Sequence, residues 1–355
     1  MPTIPSTSLA AILPKTIHSC LTQAPGLKYN WDSKLRQLIL GIAISQSLVL
    51  QKIAQLWPGS VPTRENILSR FLSQSHLKLD GAQQAFVTSV IKRLGKRRLW
   101  RHQGKAVVII DSTSYAKLRS RGKIRPMPQK GKVLMHNLPT KEKVLAPGYQ
   151  EIWLGVLLKD KTFLPLTRRL WTERGPDAAS LNLVEEAEIL RACDLIQKAL
   201  KLDLILVADR GFRRKDLLAW LKKDLKVDFL IRLEGKLTVS AVGWKGLLTD
   251  VALGWKDRVR MHWRDDSKKP LISDVSASRV SVALSAISRF AFNVLCLKPV
   301  QDDRNPMFLA TTLPISELAD IMALVRLYSA RWTIETFFWM FKNDLGAQSW
   351  RVFSC

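Results

Sequence analysis

Residues 106–113 read AVVIIDST and residues 204–212 read LILVADRGF, two apolar runs each closed by an aspartate, Asp111 and Asp209. Each run is apolar and largely branched at every position rather than every second one. That pattern marks a strand covered on both faces, so both runs belong in the middle of a sheet flanked by helices. Working outward, residues 151–158 and 162–170 predict two more strands. After the breaker Gly175-Pro176, residues 180–201 predict an amphipathic helix with Leu181, Val184, Ala187, Leu190 and Ile196 on its apolar side. A helix over 214–223 and a strand over 227–232 complete one layered α/β unit.

The chain has 355 residues, which predicts two or three domains. Residues 1–104 read as a small helical bundle, with apolar periodicity over 34–57, 66–79 and 82–94 and breakers at Pro58-Gly59 and Asp80-Gly81. Thr63 is the expected N-cap of the second helix, with Glu65 in its first turn. Residues 105–233 form the first part of the α/β core. Residues 234–306 alternate in short segments and read as a β-rich insertion. Residues 307–355 return to the core, with a helix from Ser316-Glu317 to about Leu345.

Lys and Arg number 56 against 30 Asp and Glu, a formal charge of +26. A balance this basic excludes an ordinary enzyme of small metabolites and points to a polyanion. Lys92-Arg93, Lys96-Arg97-Arg98 and Arg101 begin a basic strip that continues from Lys117 to Lys132, and between Ile91 and Lys143 the only acids are Asp111 and Glu142. Such a strip is either a solvated loop or a phosphate-tracking surface. The longest apolar stretch, 38–50, carries two Ser and a Gln and is too short to span a bilayer. No secretory signal is expected. Cys20, Cys193, Cys296 and Cys355 lack paired spacing, as do the five histidines, so neither a zinc site nor a disulfide framework is expected. These features read together as a reduced protein of the cytoplasm, associated with the nucleoid.

Asp111 and Asp209 each close a buried-type strand. Neighbouring strands bring such carboxylates close, and two close carboxylates repel unless protonated or bridged by a cation, which makes Mg²⁺ coordination the economical reading. The terminal segment YSARWTIETFFWMFKNDLG supplies a third group. At 100° per residue Tyr328, Arg331, Glu335 and Lys342 fall within about 60° of one another on one helix face. Trp332, Phe337, Phe338, Trp339 and Phe341 take the other faces. Three carboxylates suit two-metal phosphodiester chemistry, with Arg331 and Lys342 gripping phosphates.

The spacing Tyr328-(2)-Arg331-(3)-Glu335-(6)-Lys342 resembles the Y-R-E-K signature of the insertion sequence 4 family of bacterial DDE transposases. Asp111-Ser-Thr and Ala208-Asp209-Arg210-Gly211-Phe212 are similar to the surroundings of that family's first and second catalytic aspartates, and the likeness covers about residues 60–350. It implies a ribonuclease-H-like catalytic domain interrupted by a β-rich insertion and preceded by a small helical DNA-binding domain. It further implies catalytic, metal-holding Asp111, Asp209 and Glu335, two Mg²⁺ ions with Mn²⁺ as substitute, and DNA contacts from Tyr328, Arg331, Lys342 and Arg210.

The implied activity is cut-and-paste transposition on double-stranded DNA. Cleavage at the element ends proceeds through a hairpin, and a homodimer then transfers the ends into target DNA. Trp244, Trp255 and Trp263 are candidates for stacking on a base flipped at the hairpin. The chain stops 13 residues beyond Lys342, where family members continue, so the last core segment reads as truncated. A truncated copy that binds element ends without cleaving them is the competing reading. A nuclease that hydrolyses DNA without transfer is a third, and a membrane-surface protein is disfavoured.

Overall fold

The computed structural model describes residues 38–42, 45, 48, 50–73, 79–116, 148–171, 180–241, 244–253, 259–264, 270–284, 288–300 and 305–345. Three helices come first: α1 (Leu50–Ala54), α2 (Val61–Ser73) and α3 (Leu79–Arg98). Because α2 begins at Val61, Thr63 lies inside its first turn rather than at the N-cap, and its hydroxyl bonds Ser60 Oγ at 3.3 Å.

The α/β core follows as β1 (Arg101–His102), β2 (Lys105–Ala116), β3 (Gly148–Leu157), β4 (Phe163–Trp171), α4 (Leu181–Leu200), β5 (Leu204–Ala208), α5 (Lys215–Lys223) and β6 (Asp228–Leu233). Next come β7 (Thr238–Ala241), β8 (Trp244–Leu247), α6 (Leu248–Leu253), β9 (Val259–Arg264), β10 (Pro270–Ala283), β11 (Arg289–Pro299) and β12 (Met307–Thr311). Two helices, α7 (Leu318–Ser329) and α8 (Trp332–Trp339), and a π-helical turn at Met340–Asp344 end the described chain.

All strands belong to one mixed sheet of order β4-β3-β2-β5-β6-β12-β11-β10-β7-β8, with β1 on β2 and β9 on β10. The pairs β2–β5 and β5–β6 are parallel and the others antiparallel. The segment expected as an insertion is therefore continuous with the core through β12, which pairs with both β6 and β11.

The apolar runs are covered on both faces, as their composition requires. Val108, Ile110, Leu206 and Ala208 join a cluster with α4 and α5. Val107, Ile109, Ile205 and Val207 face the opposite way and join a cluster with α7 and α8. Ile109 and Ile110 are fully buried, each contributing about 1.5–3 kcal/mol by leaving water. Helix α3 also packs on the core, since Val87 and Ile91 lie in the α4 cluster.

Two sequence expectations need correcting here. On α4 the buried residues are Glu185, Glu188, Ile189, Ala192, Leu195, Ile196 and Leu200, whereas Ala187 is exposed and Leu190 is 47 % exposed. The apolar face is thus rotated from the expected one and carries two carboxylates. The single helix expected over 318–345 is broken at Ala330-Arg331 and changes to a π turn after Trp339. Among the described residues no helix is long and apolar enough to cross a membrane. The basic residues from Lys117 to Lys132, Trp255, and the side chains of Trp244 and Trp263 lie outside what is described.

Candidate active site

Parallel pairing of β2 with β5 sets Ile110 opposite Ala208, so the next residue on each strand, Asp111 and Asp209, emerges at the same end of the sheet. Asp209 follows the end of β5 as expected. Asp111 does not end its strand, because β2 continues to Ala116 along antiparallel β3. What ends there is only the parallel pairing. Asp111 Oδ1 accepts the Ser112 N–H at 2.7 Å. Asp209 Oδ1 accepts the Gly211 N–H at 2.6 Å and so caps the short 3-10 turn Arg210–Phe212. A Cβ at Gly211 would sit 2.9 Å from that oxygen, so glycine is what lets the turn close. Arg210 is exposed beside it.

The break between α7 and α8 places Arg331 beneath the sheet end. Its Nη1 donates to Asp111 Oδ2 at 2.8 Å and its Nη2 to Glu335 Oε1 at 2.8 Å. The guanidinium is 5 % exposed, sits 4.9 Å from the Trp332 ring and 5.8 Å from the buried Tyr328 ring, and spans two carboxylates from distant parts of the chain. Lys342 lies on the π turn and donates to the Ser114 carbonyl at 3.1 Å, three residues along β2 from Asp111. The structure therefore brings together Asp111, Arg331 and Glu335 directly, with Asp209 alongside and Lys342 further along the same strand. Trp339, on a face of the segment away from Arg331 and Glu335 in the sequence reading, is 61 % exposed on α8, one turn beyond Glu335.

Electrostatics reflect this crowding. Burial pushes the Asp111 carboxyl up to about 7; Arg331 and the Ser112 N–H oppose the rise, while Asp209 and Glu335 add to it. For Arg331, burial acts to lower the pKa, but Asp111, Tyr328 and Glu335 outweigh it and hold the guanidinium more firmly protonated than usual. Burial lowers Lys342, with Glu151 opposing.

Sequence reading missed Glu151 and Glu185. Glu151 is buried on β3, 3.5 Å from Arg168. Glu185, at the start of α4, is raised to about 7 by burial, with Arg214 lowering and Glu186 and Asp209 raising it. Arg214 contacts Glu185 at 3.2 Å, Glu186 at 3.3 Å and Asp216 at 3.2 Å. The available signal was a carboxylate interrupting each apolar period of α4.

Asp111, Asp209 and Glu335 offer only carboxylate oxygens, the donors a hard divalent cation takes. Burial does most to raise Asp111, and the repulsion from Asp209 and Glu335 that adds to it is what such a cation relieves. Among the described residues, however, no three His, Cys, Asp or Glu side chains are drawn close enough to hold one ion, and Arg331 lies between Asp111 and Glu335. The donor chemistry fits a metal, while the guanidinium closes the site.

A mixed α/β fold with three carboxylates gathered at one sheet end defines an acidic site in a strongly basic protein. Residues 184–354 match the family model described as the transposase DDE domain, a span that holds Asp209, Arg331, Glu335 and Lys342. This match, over a little under half of the chain, supports a DDE transposase. No curated protein matches the chain. Among solved structures, the NurA nuclease from Sulfolobus solfataricus is similar at a TM-score of 0.29 and 10 % identity, over 74 % of this chain and 86 % of that one, a likeness too low to bear on fold or function.

Proposed function

We propose that the chain is a DNA transposase of the cut-and-paste type, which cleaves at the ends of an insertion sequence and transfers them into target DNA. The observation that carries the reading is the convergence of Asp111, Asp209 and Glu335 at one end of the parallel strand pair, from segments up to 224 residues apart, since 335 − 111 = 224. In this reading the core is ribonuclease-H-like, β7 to β11 form its β-rich insertion, and the helices before β1 recognise element ends.

Asp111, Asp209 and Glu335 are the residues that would hold two Mg²⁺ ions, or Mn²⁺ in their place. Such ions supply activation of the attacking oxygen and stabilisation of the leaving one. The chain's own groups do the remainder. Arg331 keeps Asp111 and Glu335 from repelling each other, and it can turn its planar fork from carboxylate to phosphate because both present paired oxygens. Lys342 and Arg210 flank the same end and would hold the cleaved strand, so that its 3′-OH stays in place for hairpin formation and then transfer. Tyr328, expected on DNA, is buried behind Arg331 and would act only by positioning that guanidinium. A homodimer would pair two such ends.

The test is incubation of the purified chain, beside Glu335→Gln, with DNA carrying the ends that flank its gene, in Mg²⁺ or Mn²⁺. Metal-dependent nicks and hairpins at the boundary in the parent alone support the reading. Specific binding with no cleavage by either protein overturns it.

A further inference from the structure

The opposite end of the sheet, where β2, β5 and β6 begin, carries charge of the other sign. Six residues separate Lys105 from Asp111 along β2, which sets this end about 20 Å from the carboxylates. Helix α3 is interrupted at Gly95, whose φ of 64° and ψ of 172° turn Lys96, Arg97 and Arg98 off the helix axis, and all three are exposed. Arg101 follows, exposed on β1. The β3–β4 turn adds exposed Lys159 and Lys161, the α4–β5 connection exposed Lys201, the last turn of α5 exposed Lys222 and Lys223, and the α5–β6 connection exposed Lys226.

The backbone at these turns is unusual. Among the described residues four that are not glycine have positive φ: Gln103 (49°), Lys161 (64°), Lys201 (51°) and Lys226 (57°). All four sit at this one end, and three are lysines. Glycine or asparagine takes this left-handed conformation at lower cost. Strain of this kind persists where something other than stability favours the residue. The three lysines belong to connections of neighbouring strands in the order β3, β2, β5, β6, so they lie along a row about 15 Å long.

We propose that this end of the sheet is a second DNA surface, which grips the phosphate backbone of a duplex without reading its bases. The proposal rests on the transposase reading for its partner, and on charge and backbone conformation for its place. A row of about 15 Å matches roughly four steps of one strand at 3.4 Å each. The connections 159–161, 201–203 and 222–226 expose no large apolar side chain, so the surface lacks the insertion that membrane binding uses. Exposed Asp160, Asp203 and Asp224 lie in the same three connections, but the ten exposed Lys and Arg named above outnumber them; the acids Glu317 and Asp320 at this end belong to α7, on the opposite face of the sheet. Asp228 is tied between Lys105 and Lys222. The duplex is the flank of the DNA being cut, since about 20 Å along β2 separates this end from the carboxylates.

The experiment compares the full chain with its Lys161→Gly, Lys201→Gly, Lys226→Gly triple variant, in which glycine relieves the left-handed positions while removing three charges. Duplex binding is followed by anisotropy across a salt series, and thermal melting is recorded in parallel. The expected result is a melting temperature equal to or above the parent's, together with weaker binding and a salt slope shallower by about 3. The affinity advantage of a duplex of about 40 bp over one of about 12 bp should disappear as well, because the surface holds the flank; if only binding of a second duplex disappears, that assignment is overturned.

Unchanged affinity and slope in the triple variant overturn the proposal. So does a loss confined to anionic phosphatidylserine vesicles or to an acidic polypeptide such as polyglutamate. Metal-dependent nicking by the parent tells the two readings apart. If the parent nicks DNA and the triple variant binds unchanged, only this surface is wrong; if the parent neither binds nor nicks duplex, the transposase reading itself fails.

Discussion

Two aspartates of one sheet, Asp111 partly buried and Asp228 buried, are driven in opposite directions. Asp111, at the carboxylate end, shares one guanidinium with Glu335 and lies near Asp209, and burial pushes it up to about 7. Asp228, at the other end, is also subject to burial, but hydrogen bonds from Lys105, Lys222 and Thr312 bring it down to about 2. Burial works against the charge of both and more strongly on Asp111, while two lysines and a hydroxyl bond Asp228 where Asp111 shares one guanidinium with a second carboxylate. One end is short of positive charge and able to accept a cation. The other is saturated with it.

The largest expected effect is on chemistry at the first end alone. Asp209→Asn and Glu335→Gln each reduce metal-dependent nicking by about 10³-fold or more, because the carboxylates act as a unit. Asp228→Asn, remote from them, leaves nicking within about twofold, since distant sites behave independently. A nicking assay that found Asp228→Asn as damaging as Glu335→Gln would erase the distinction between the ends.

Stability sharpens it next. Arg331→Ala leaves Asp111 and Glu335 facing each other without their shared cation, and urea unfolding should show a loss of about 3–5 kcal/mol. Asp228→Asn should cost about 1–2 kcal/mol at pH 7. Because the folded value lies below the ordinary 3.8, the contribution of Asp228 is complete above that pH and fades as pH falls towards 2. Parent and variant should therefore converge in acid.

Asp111 has the opposite sign and the smallest effect. Between 3.8 and about 7 the folded chain holds a proton that the unfolded chain has lost, so this group subtracts stability as pH rises through that window. Asp111→Asn should melt a few degrees above the parent at pH 8, with the gap closing towards pH 4, while abolishing nicking. A variant that melted lower at pH 8 would mean that the Arg331 contact outweighs the crowding.

Much of this was legible in the residues. The runs 106–110 and 204–208 announced central strands because every position is apolar, and the helical spacing of Arg331 and Glu335 put them within reach of each other. What the spacing did not carry was direction. Arg331 was expected to face phosphate, yet its fork spans Asp111 and Glu335, a pairing across 220 residues that no local pattern encodes. The face of α4 was misread because Glu185 and Glu188 look like solvent-facing residues until Arg214 and Arg191 are brought against them. Strand β10 has no continuous apolar signal in the sequence, since Ser273 and Ser276 interrupt it. In the fold they are buried in a strand that β9 and β11 flank.

Strand β6 ends at Leu233 and β12 begins at Met307, and Phe308 pairs directly with Leu233. The intervening segment thus has its exit and its entrance about one strand spacing apart. Val239, Val280, Phe290 and Val294 of that segment pack in one cluster with α4 and α5, so it can be lengthened or shortened at its turns but not stripped out without opening the core. One condition limits that freedom. Strand β12 is covered along its far edge by β11, so any replacement must bring a strand or helix of its own, or leave β12 as an open template for a neighbouring chain.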